Sequence, residues 1–200
     1  MATASAAALG HPSLSLSLPF PQATGSPFAL TTLTDPHRAG APRTEPRRGL
    51  GAADGAVPDG TTVADDGVPG VANLDPDLRA ALRGAAEQAA VDGVRLLVNS
   101  GWRSRDYQAG LLRDAIATYG SGAEAARWVA DPDTSAHVSG DAVDVGPAAA
   151  ATWLADHGGA YGLCRTYANE PWHFELRTDA SEGGCPSSYA DAAHDPRSRR

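Results

Sequence analysis

Two histidines and several carboxylates, in two short stretches of the chain, are the side chains best suited to chemistry. Residues 135–144 read Ser-Ala-His-Val-Ser-Gly-Asp-Ala-Val-Asp and contain His137. Residues 170–175 read Glu-Pro-Trp-His-Phe-Glu and contain His173. Zinc in hydrolases is commonly held by three nitrogen or oxygen ligands, and its fourth position is kept for water. Two histidines and one carboxylate provide such a set.

The carboxylate of this set is either Asp141 or Asp144, since both have the required chemistry. Gly140 allows the chain to turn back after His137, so that a carboxylate on the following strand can meet the imidazole. Asp144 lies between two valines that can anchor the opposite face of a strand in the core. This favours Asp144, although a histidine and an aspartate at this spacing are also compatible with a simple capped turn.

Glu170 and Glu175 compete for the role of general base, the group that takes a proton from the attacking water. Glu175 lies two residues after His173, so on a strand both side chains face the same side. Glu170 precedes Pro171, which favours an extended backbone close to the predicted ligand. Spacing does not decide between the two, and either is also compatible with a solvated carboxylate at a strand end.

A third stretch, residues 100–108, contains Arg103 on a turn between a predicted strand and a predicted helix. A guanidinium fixed there presents a planar fork to a carboxylate or to a developing oxyanion. Taken alone, the stretch is better explained by Arg103 and Arg105 pairing with acidic groups on the surface.

The elements that must position these groups follow from hydrophobic spacing, caps and turn residues. The predicted helices run from Pro76 to Gly93, from Ser104 to Gly120, from Ser121 to about Ala130 and from Pro147 to His157; the predicted strands are 94–98, 143–145 and 172–176. Strands and helices do not alternate regularly. We therefore predict an α+β fold: a compact single domain with a small, mainly antiparallel sheet and helices packed on it.

The domain is predicted to be flanked by two flexible tails. Residues 1–60 are rich in Ala, Ser, Thr, Pro and Gly, and they offer few apolar side chains to offset the entropy of ordering. We place the folded domain at 61–190 and a second tail at 191–200. The N-terminal stretch lacks the charged start and long apolar run of an export signal.

The charge of the chain excludes some functions. Its 16 basic side chains are all Arg, and with 24 acidic ones the net charge is −8. Nucleic-acid binding generally requires a basic face, so we predict no nucleic-acid partner. No stretch is long and apolar enough for a membrane helix, so the protein is predicted not to span a membrane.

Three motifs in a fixed order resemble the VanY-type zinc D-alanyl-D-alanine carboxypeptidases and their VanX-type dipeptidase relatives. The pattern Ser-x-His-x-x-Gly-x-Ala-x-Asp matches residues 135–144 at every defined position. Glu-x-Trp-His matches residues 170–173, and Gly-aromatic-Arg-Ser-x-x-x-Gln matches residues 101–108. Each motif alone is weakly specific, but the three together are a strong resemblance.

The resemblance implies a role for each matching residue. It implies that Zn²⁺ is bound by His137, Asp144 and His173. It implies that Glu170 is the base, that Arg103 steadies the oxyanion, and that Ser135 and Gln108 position the terminal carboxylate of the peptide.

The implied activity is removal of the C-terminal D-alanine from peptidoglycan stem peptides that end in D-Ala-D-Ala. The resemblance leaves open a D-Ala-D-Ala dipeptidase, an L,D-carboxypeptidase or a peptidoglycan endopeptidase of the same fold. A different class, a catalytically silent zinc domain that binds cell wall, has no need of both Glu170 and Arg103. We predict a monomer that acts outside the cell or at the cell wall.

Cys164 and Cys185 are the two cysteines of the chain. They fit no metal-binding spacing, and we predict a disulfide between them. Such a bridge closes a loop of about 20 residues around the strand of His173, which contributes about 3 kcal/mol to stability. It also implies an oxidising compartment.

Overall fold

The structure is a computed structural model that describes residues 50–199. Within these residues it confirms an α+β fold in which helices pack on a four-stranded antiparallel sheet. The predicted tail falls mostly on residues 1–49, which lie outside the described residues.

Seven helices are present in the described part of the chain. They are α1 (Pro69–Ala72), α2 (Pro76–Val91), α3 (Arg105–Tyr119), α4 (Gly122–Ala125), α5 (Ala136–Ser139), α6 (Ala148–His157) and α7 (Ala180–Gly183). The predicted caps are confirmed: the Asp75 side chain accepts hydrogen bonds from the first turn of α2, and Ser104 does the same for α3. Helix α4 is shorter than predicted, because Ala126 already acts as its C-cap.

The sheet has the strand order β1-β2-β4-β3, and all its neighbours are antiparallel. Its strands are β1 (Leu97–Ser100), β2 (Ala142–Gly146), β3 (Leu163–Arg165) and β4 (His173–Leu176). The central strand β2 is buried along its whole length. Val143 and Val145 belong to the hydrophobic core, whereas Asp144 between them points to the other face, as the alternation of side chains along a strand requires.

The core lies between the sheet and the long helix α2. The apolar residues of α2 recur every three or four positions and form one buried stripe, comprising Leu78, Leu82, Ala85 and Ala89. This stripe packs with Phe174 from β4 and Leu154 from α6, which are both fully buried. The apolar face of the sheet is thereby covered, and its other face is left for polar side chains.

Ordered contacts are present on both sides of the predicted domain bounds, 61 and 190, within the described residues. At the N-terminal side, the backbone and side chain of Ser104 donate to Asp54 (2.8 and 3.0 Å), so residues 51–60 already contact the domain. At the C-terminal side, residues 191–199 form two 3₁₀ turns in which Asp191 and Asp195 are buried. Polar composition suggested a flexible tail, but these aspartates pair with arginines inside the fold.

The Cys164–Cys185 disulfide is present and links β3 to the segment that follows α7. Opening this bridge is expected to lower the free energy of unfolding by about 3 kcal/mol, because the unfolded chain regains the freedom that the loop removes. Chemical denaturation of the protein and of a Cys164→Ala/Cys185→Ala variant measures the difference. Equal stability of the two proteins would contradict the prediction.

Within residues 50–199, no helix combines the length and the apolar character needed to cross a bilayer.

Candidate active site

The register of the sheet brings Asp144 and His173 side by side. Asp144 on β2 pairs with His173 on β4, and on its other side it pairs with Ser100 on β1. His173 Nδ1 lies 3.2 Å from an Asp144 carboxylate oxygen. Both side chains are buried on the face of the sheet opposite the apolar core.

His137 reaches the same point from the short helix α5. Gly140, at φ +86°, ends this helix and returns the chain into β2, as the sequence predicted. His137 Nδ1 lies 2.8 Å from the carbonyl oxygen of Gly101, which accepts a hydrogen bond when this nitrogen carries the proton. His137 Nε2 is then free to face His173 Nδ1 at 3.2 Å and Asp144 at 3.4 Å.

These three side chains fit a metal ion. One ligand atom from each of His137, Asp144 and His173 lies within 4.8 Å of the others, and all three residues are buried. Two imidazole nitrogens and a carboxylate oxygen form the donor set of many catalytic zinc sites, which leave one position open. The hydrogen bond between His137 and Gly101 is the outer support that fixes a ligand imidazole.

The pKa values of this cluster depend on its burial and on the charges within it. Burial opposes ionisation of Asp144, but the neighbouring histidines and Arg103 outweigh it and hold the pKa of Asp144 well below its usual range. Burial and the nearby positive charge of Arg103 lower the pKa of His137. Burial opposes a charge on His173 too, yet Asp144, Glu175 and Glu170 together raise its pKa to about 10. The charges of Asp144, His173 and Arg103 are thus strongly coupled in this buried cluster.

Arg103 lies beside the three side chains and is held at three atoms. Its Nη2 donates to Asp144 (2.8 Å), its Nη1 to Gln108 (3.1 Å), and its Nε to Ser100 (2.8 Å). The side chain is 13% exposed and lines a small cleft together with His137, Glu170 and His173. Arg103 is therefore a preorganised cation at the predicted position.

Glu170 is buried and lines the same cleft. Its Oε2 is 3.8 Å from His173 Nδ1, on the side where Asp144 lies. Burial raises the pKa of Glu170 to about 7. A carboxyl group in this range can both accept and donate a proton near neutral pH.

The structure separates the alternatives that the sequence left open. Asp141 is exposed and accepts a hydrogen bond from Ser139 (2.6 Å), away from the histidines. Glu175 is buried next to His173, but it faces the Nε2 nitrogen, on the far side of the ring from the cleft. Asp144 therefore lies with the two histidines and Glu170 lies beside His173 Nδ1, whereas Asp141 and Glu175 point elsewhere.

Ser135 and Gln108 both line the cleft, together with Trp128, Tyr167 and Ala192. The Ser135 side chain makes no cap hydrogen bond to α5, and the residue lines the cleft. Both ends of the Gln108 amide are already engaged, one by Arg103 and the other by the carbonyl oxygen of Ala130 (2.9 Å). Gln108 thus contributes by orienting Arg103.

Sequence reasoning missed two features of the site. The ring of Tyr167 packs against His173, with ring centroids 4.9 Å apart. The C-terminal segment places Ala192 in the cleft wall. No local pattern marks either contribution, because both depend on how distant parts of the chain pack.

Known proteins are similar to this chain in sequence and in fold. The sequence model of the VanY family, D-alanyl-D-alanine carboxypeptidase, matches residues 71–178. A D-alanyl-D-alanine carboxypeptidase of Enterococcus faecalis is 31% identical in an alignment of 113 residues. The match covers 44% of this chain and 42% of that protein. The matched part therefore spans less than half of that relative's length.

Two solved structures are similar to this chain at comparable levels. The D,D-pentapeptidase VanY from the VanB-type resistance cassette, in complex with Zn(II), shares 26% identity at a TM-score of 0.50, over 56% of this chain and 80% of that one. VanYB in complex with D-alanine-D-alanine shares 27% sequence identity at a TM-score of 0.51, over 56% of this chain and 79% of that one. The LD-carboxypeptidase LdcB, at 21% identity and a TM-score of 0.51 over 67% and 73%, shows the shared fold.

The fold and these likenesses point to one family. Because the family match spans more than half of the 200 residues, the chain belongs to the VanY family of D-alanyl-D-alanine carboxypeptidases.

Proposed function

We propose that this protein is a zinc-dependent carboxypeptidase that removes the terminal D-alanine from peptidoglycan stem peptides ending in D-Ala-D-Ala. The observation that carries the proposal is the convergence of His137, Asp144 and His173, with Glu170 and Arg103 close beside them. The zinc-bound relative and the relative in complex with D-alanine-D-alanine support it.

His137, Asp144 and His173 hold the zinc ion. When bound, zinc acts as a Lewis acid and makes water a nucleophile near neutral pH.

Glu170 moves the proton. It accepts a proton from the water that attacks the carbonyl carbon of the scissile amide, and the carbonyl oxygen gains negative charge. When the carbon–nitrogen bond breaks, Glu170 returns this proton to the departing amine of D-alanine. The same carboxyl group thus serves as base and then as acid, which suits a group with a raised pKa.

Arg103 stabilises the oxygen on which charge develops. Its hydrogen bonds to Ser100, Gln108 and Asp144 fix the guanidinium before substrate arrives, so little reorganisation accompanies the reaction. The hydroxyl of Ser135 donates to the terminal carboxylate of the peptide, and Gln108 acts through Arg103.

A catalytically silent zinc domain that binds cell wall is the alternative of a different class. Such a module has no use for a buried carboxyl group of raised pKa in the same cleft as a fixed guanidinium. The closer alternatives, a dipeptidase, an L,D-carboxypeptidase and an endopeptidase, use the same groups and differ in the shape of the cleft.

The disulfide agrees with work in an oxidising compartment, and we propose action outside the cell or at the cell wall. The monomeric state stays a prediction.

Stem-peptide profiling by mass spectrometry tests the activity. The protein with Zn²⁺ is expected to release D-alanine from a pentapeptide stem and to leave free D-Ala-D-Ala and tetrapeptide stems intact. Treatment with a chelator is expected to abolish release, and adding Zn²⁺ back to restore it. Cleavage of the dipeptide, of the tetrapeptide or of an internal bond would identify the corresponding alternative. Tight zinc binding with no cleavage of any peptide would favour the binding domain.

A further inference from the structure

Arg197, close to the C-terminus, lies outside the family match and forms ion pairs beneath the site. Its Nη1 and Nη2 donate to the two carboxylate oxygens of Glu175 at 2.6 and 3.1 Å, in a bidentate arrangement. Its Nε donates to Asp195 at 3.0 Å. Arg197 is thus held in place by two buried carboxylates, and a guanidinium in this geometry orients the groups that it binds.

Glu175 contacts both Arg197 and His173 and so connects them. One of its oxygens lies 3.3 Å from His173 Nε2, while Nδ1 of the same ring faces Asp144 and His137. Arg177 also contacts Glu175 at 3.1 Å, but it is a single contact to one oxygen. The carboxylate of Glu175 is therefore fixed mainly by Arg197, at the nitrogen of His173 that points away from the candidate metal position.

Asp195 acts on the same imidazole by a second route. The hydroxyl of Tyr167 donates to Asp195 at 3.2 Å, and the ring of Tyr167 packs against His173. Asp195 in turn accepts hydrogen bonds from Arg197. Two neighbours of the His173 ring, one at its edge and one at its face, are thus held by the same turn of the C-terminal segment.

We propose that Arg197 is a positioning residue for His173: it holds Glu175 as the acceptor of the Nε2 proton, so that Nδ1 presents its lone pair to a metal ion. An outer carboxylate of this kind fixes the tautomer and the orientation of a ligand histidine. The proposal rests on the proposed function for the identity of the ion, and it extends the site to residues beyond the family match.

A pair of matched variants separates the charge of Arg197 from its packing. Arg197→Met keeps an unbranched side chain but loses the cation, whereas Arg197→Lys keeps a cation that can still reach Glu175. The zinc dissociation constant, measured by competition with a fluorescent chelator, is expected to rise about 10–100-fold for Arg197→Met. In Arg197→Lys the dissociation constant is expected to return most of the way to the wild-type value. Arg165→Met, at an exposed arginine of β3, is the control and is expected to bind as the wild type does.

A second measurement needs no metal. In zinc-free protein, NMR of the imidazole groups is expected to show a slowly exchanging Nε2 proton on His173 in the wild type and in Arg197→Lys, and a rapidly exchanging one in Arg197→Met. Thermal unfolding establishes which variants are folded; Glu175→Gln replaces Arg197→Met if the latter does not fold, and it is expected to weaken zinc binding similarly.

The proposal would be overturned if folded Arg197→Met kept the wild-type zinc affinity and the wild-type exchange of the His173 Nε2 proton. The same holds for folded Glu175→Gln where that variant is used instead. An equal loss in Arg197→Lys and Arg197→Met would also overturn it, because packing rather than charge would then be responsible. If the variants show the expected effects but the wild-type protein cleaves no stem peptide, only the proposed function is contradicted.

Discussion

Replacing Glu170 by Gln is expected to reduce the turnover of a pentapeptide stem by about 10²–10⁴-fold, the usual contribution of a general acid–base group. Glutamine has almost the same shape but cannot take up and return a proton, so the attacking water and the departing amine both lose their partner. Because Glu170 lies beside the three proposed ligands and is not one of them, zinc affinity is expected to change little. Steady-state release of D-alanine and a zinc titration measure the two effects separately.

Glu182→Gln is a suitable control for this experiment, since Glu182 is an exposed carboxylate on α7. It is expected to leave both the turnover number and the zinc affinity at wild-type values. Release of D-alanine by Glu170→Gln at the wild-type rate would show that another group moves the proton. A large loss of zinc affinity in the same variant would instead place Glu170 among the ligands.

Replacing Asp144 by Asn is expected to weaken zinc binding more than about 100-fold, beyond the range typical of outer hydrogen-bond partners. The substitution removes the negative charge that both histidines and Arg103 face, while it preserves the size of the side chain. Turnover is expected to fall with the loss of bound zinc. Competition with a fluorescent chelator and metal analysis of the purified protein measure the effect.

Asp141→Asn is the matched comparison, because Asp141 has the same chemistry three residues earlier but lies exposed beside Ser139. Its zinc affinity is expected to equal that of the wild type. Equal zinc affinity in Asp144→Asn and wild type would refute the proposed ligand set, and a greater loss in Asp141→Asn would reverse the assignment of the two aspartates.

Local sequence signals were sufficient for the helices with strong caps and for the central strand. Asp75 and Ser104 have the side chains that satisfy the free backbone N–H groups at a helix start, so α2 and α3 begin where the sequence predicts. The motif around His137 was recognisable because its residues are close in sequence. The pairing of Asp144 with His173 followed only from the resemblance, since 29 positions separate them along the chain.

The C-terminal segment shows why composition misleads. Asp191 and Asp195 look like residues of a solvated tail, yet both are buried, because Arg127 and Arg197 neutralise them. Such pairs join residues that are distant in sequence, or neighbours whose packing depends on a distant strand. Periodicity and propensity therefore carry no information about them.

The row Ser100–Asp144–His173 runs across the sheet, perpendicular to the strands. Its geometry is fixed by strand register, whereas the connections between those strands contribute the walls of the cleft through Trp128, Ser135 and Tyr167. Loops of this kind tolerate insertions and deletions far better than paired strands do. Changes in the length of these connections are therefore expected to alter the walls of the cleft, while the row of side chains on the paired strands stays in place.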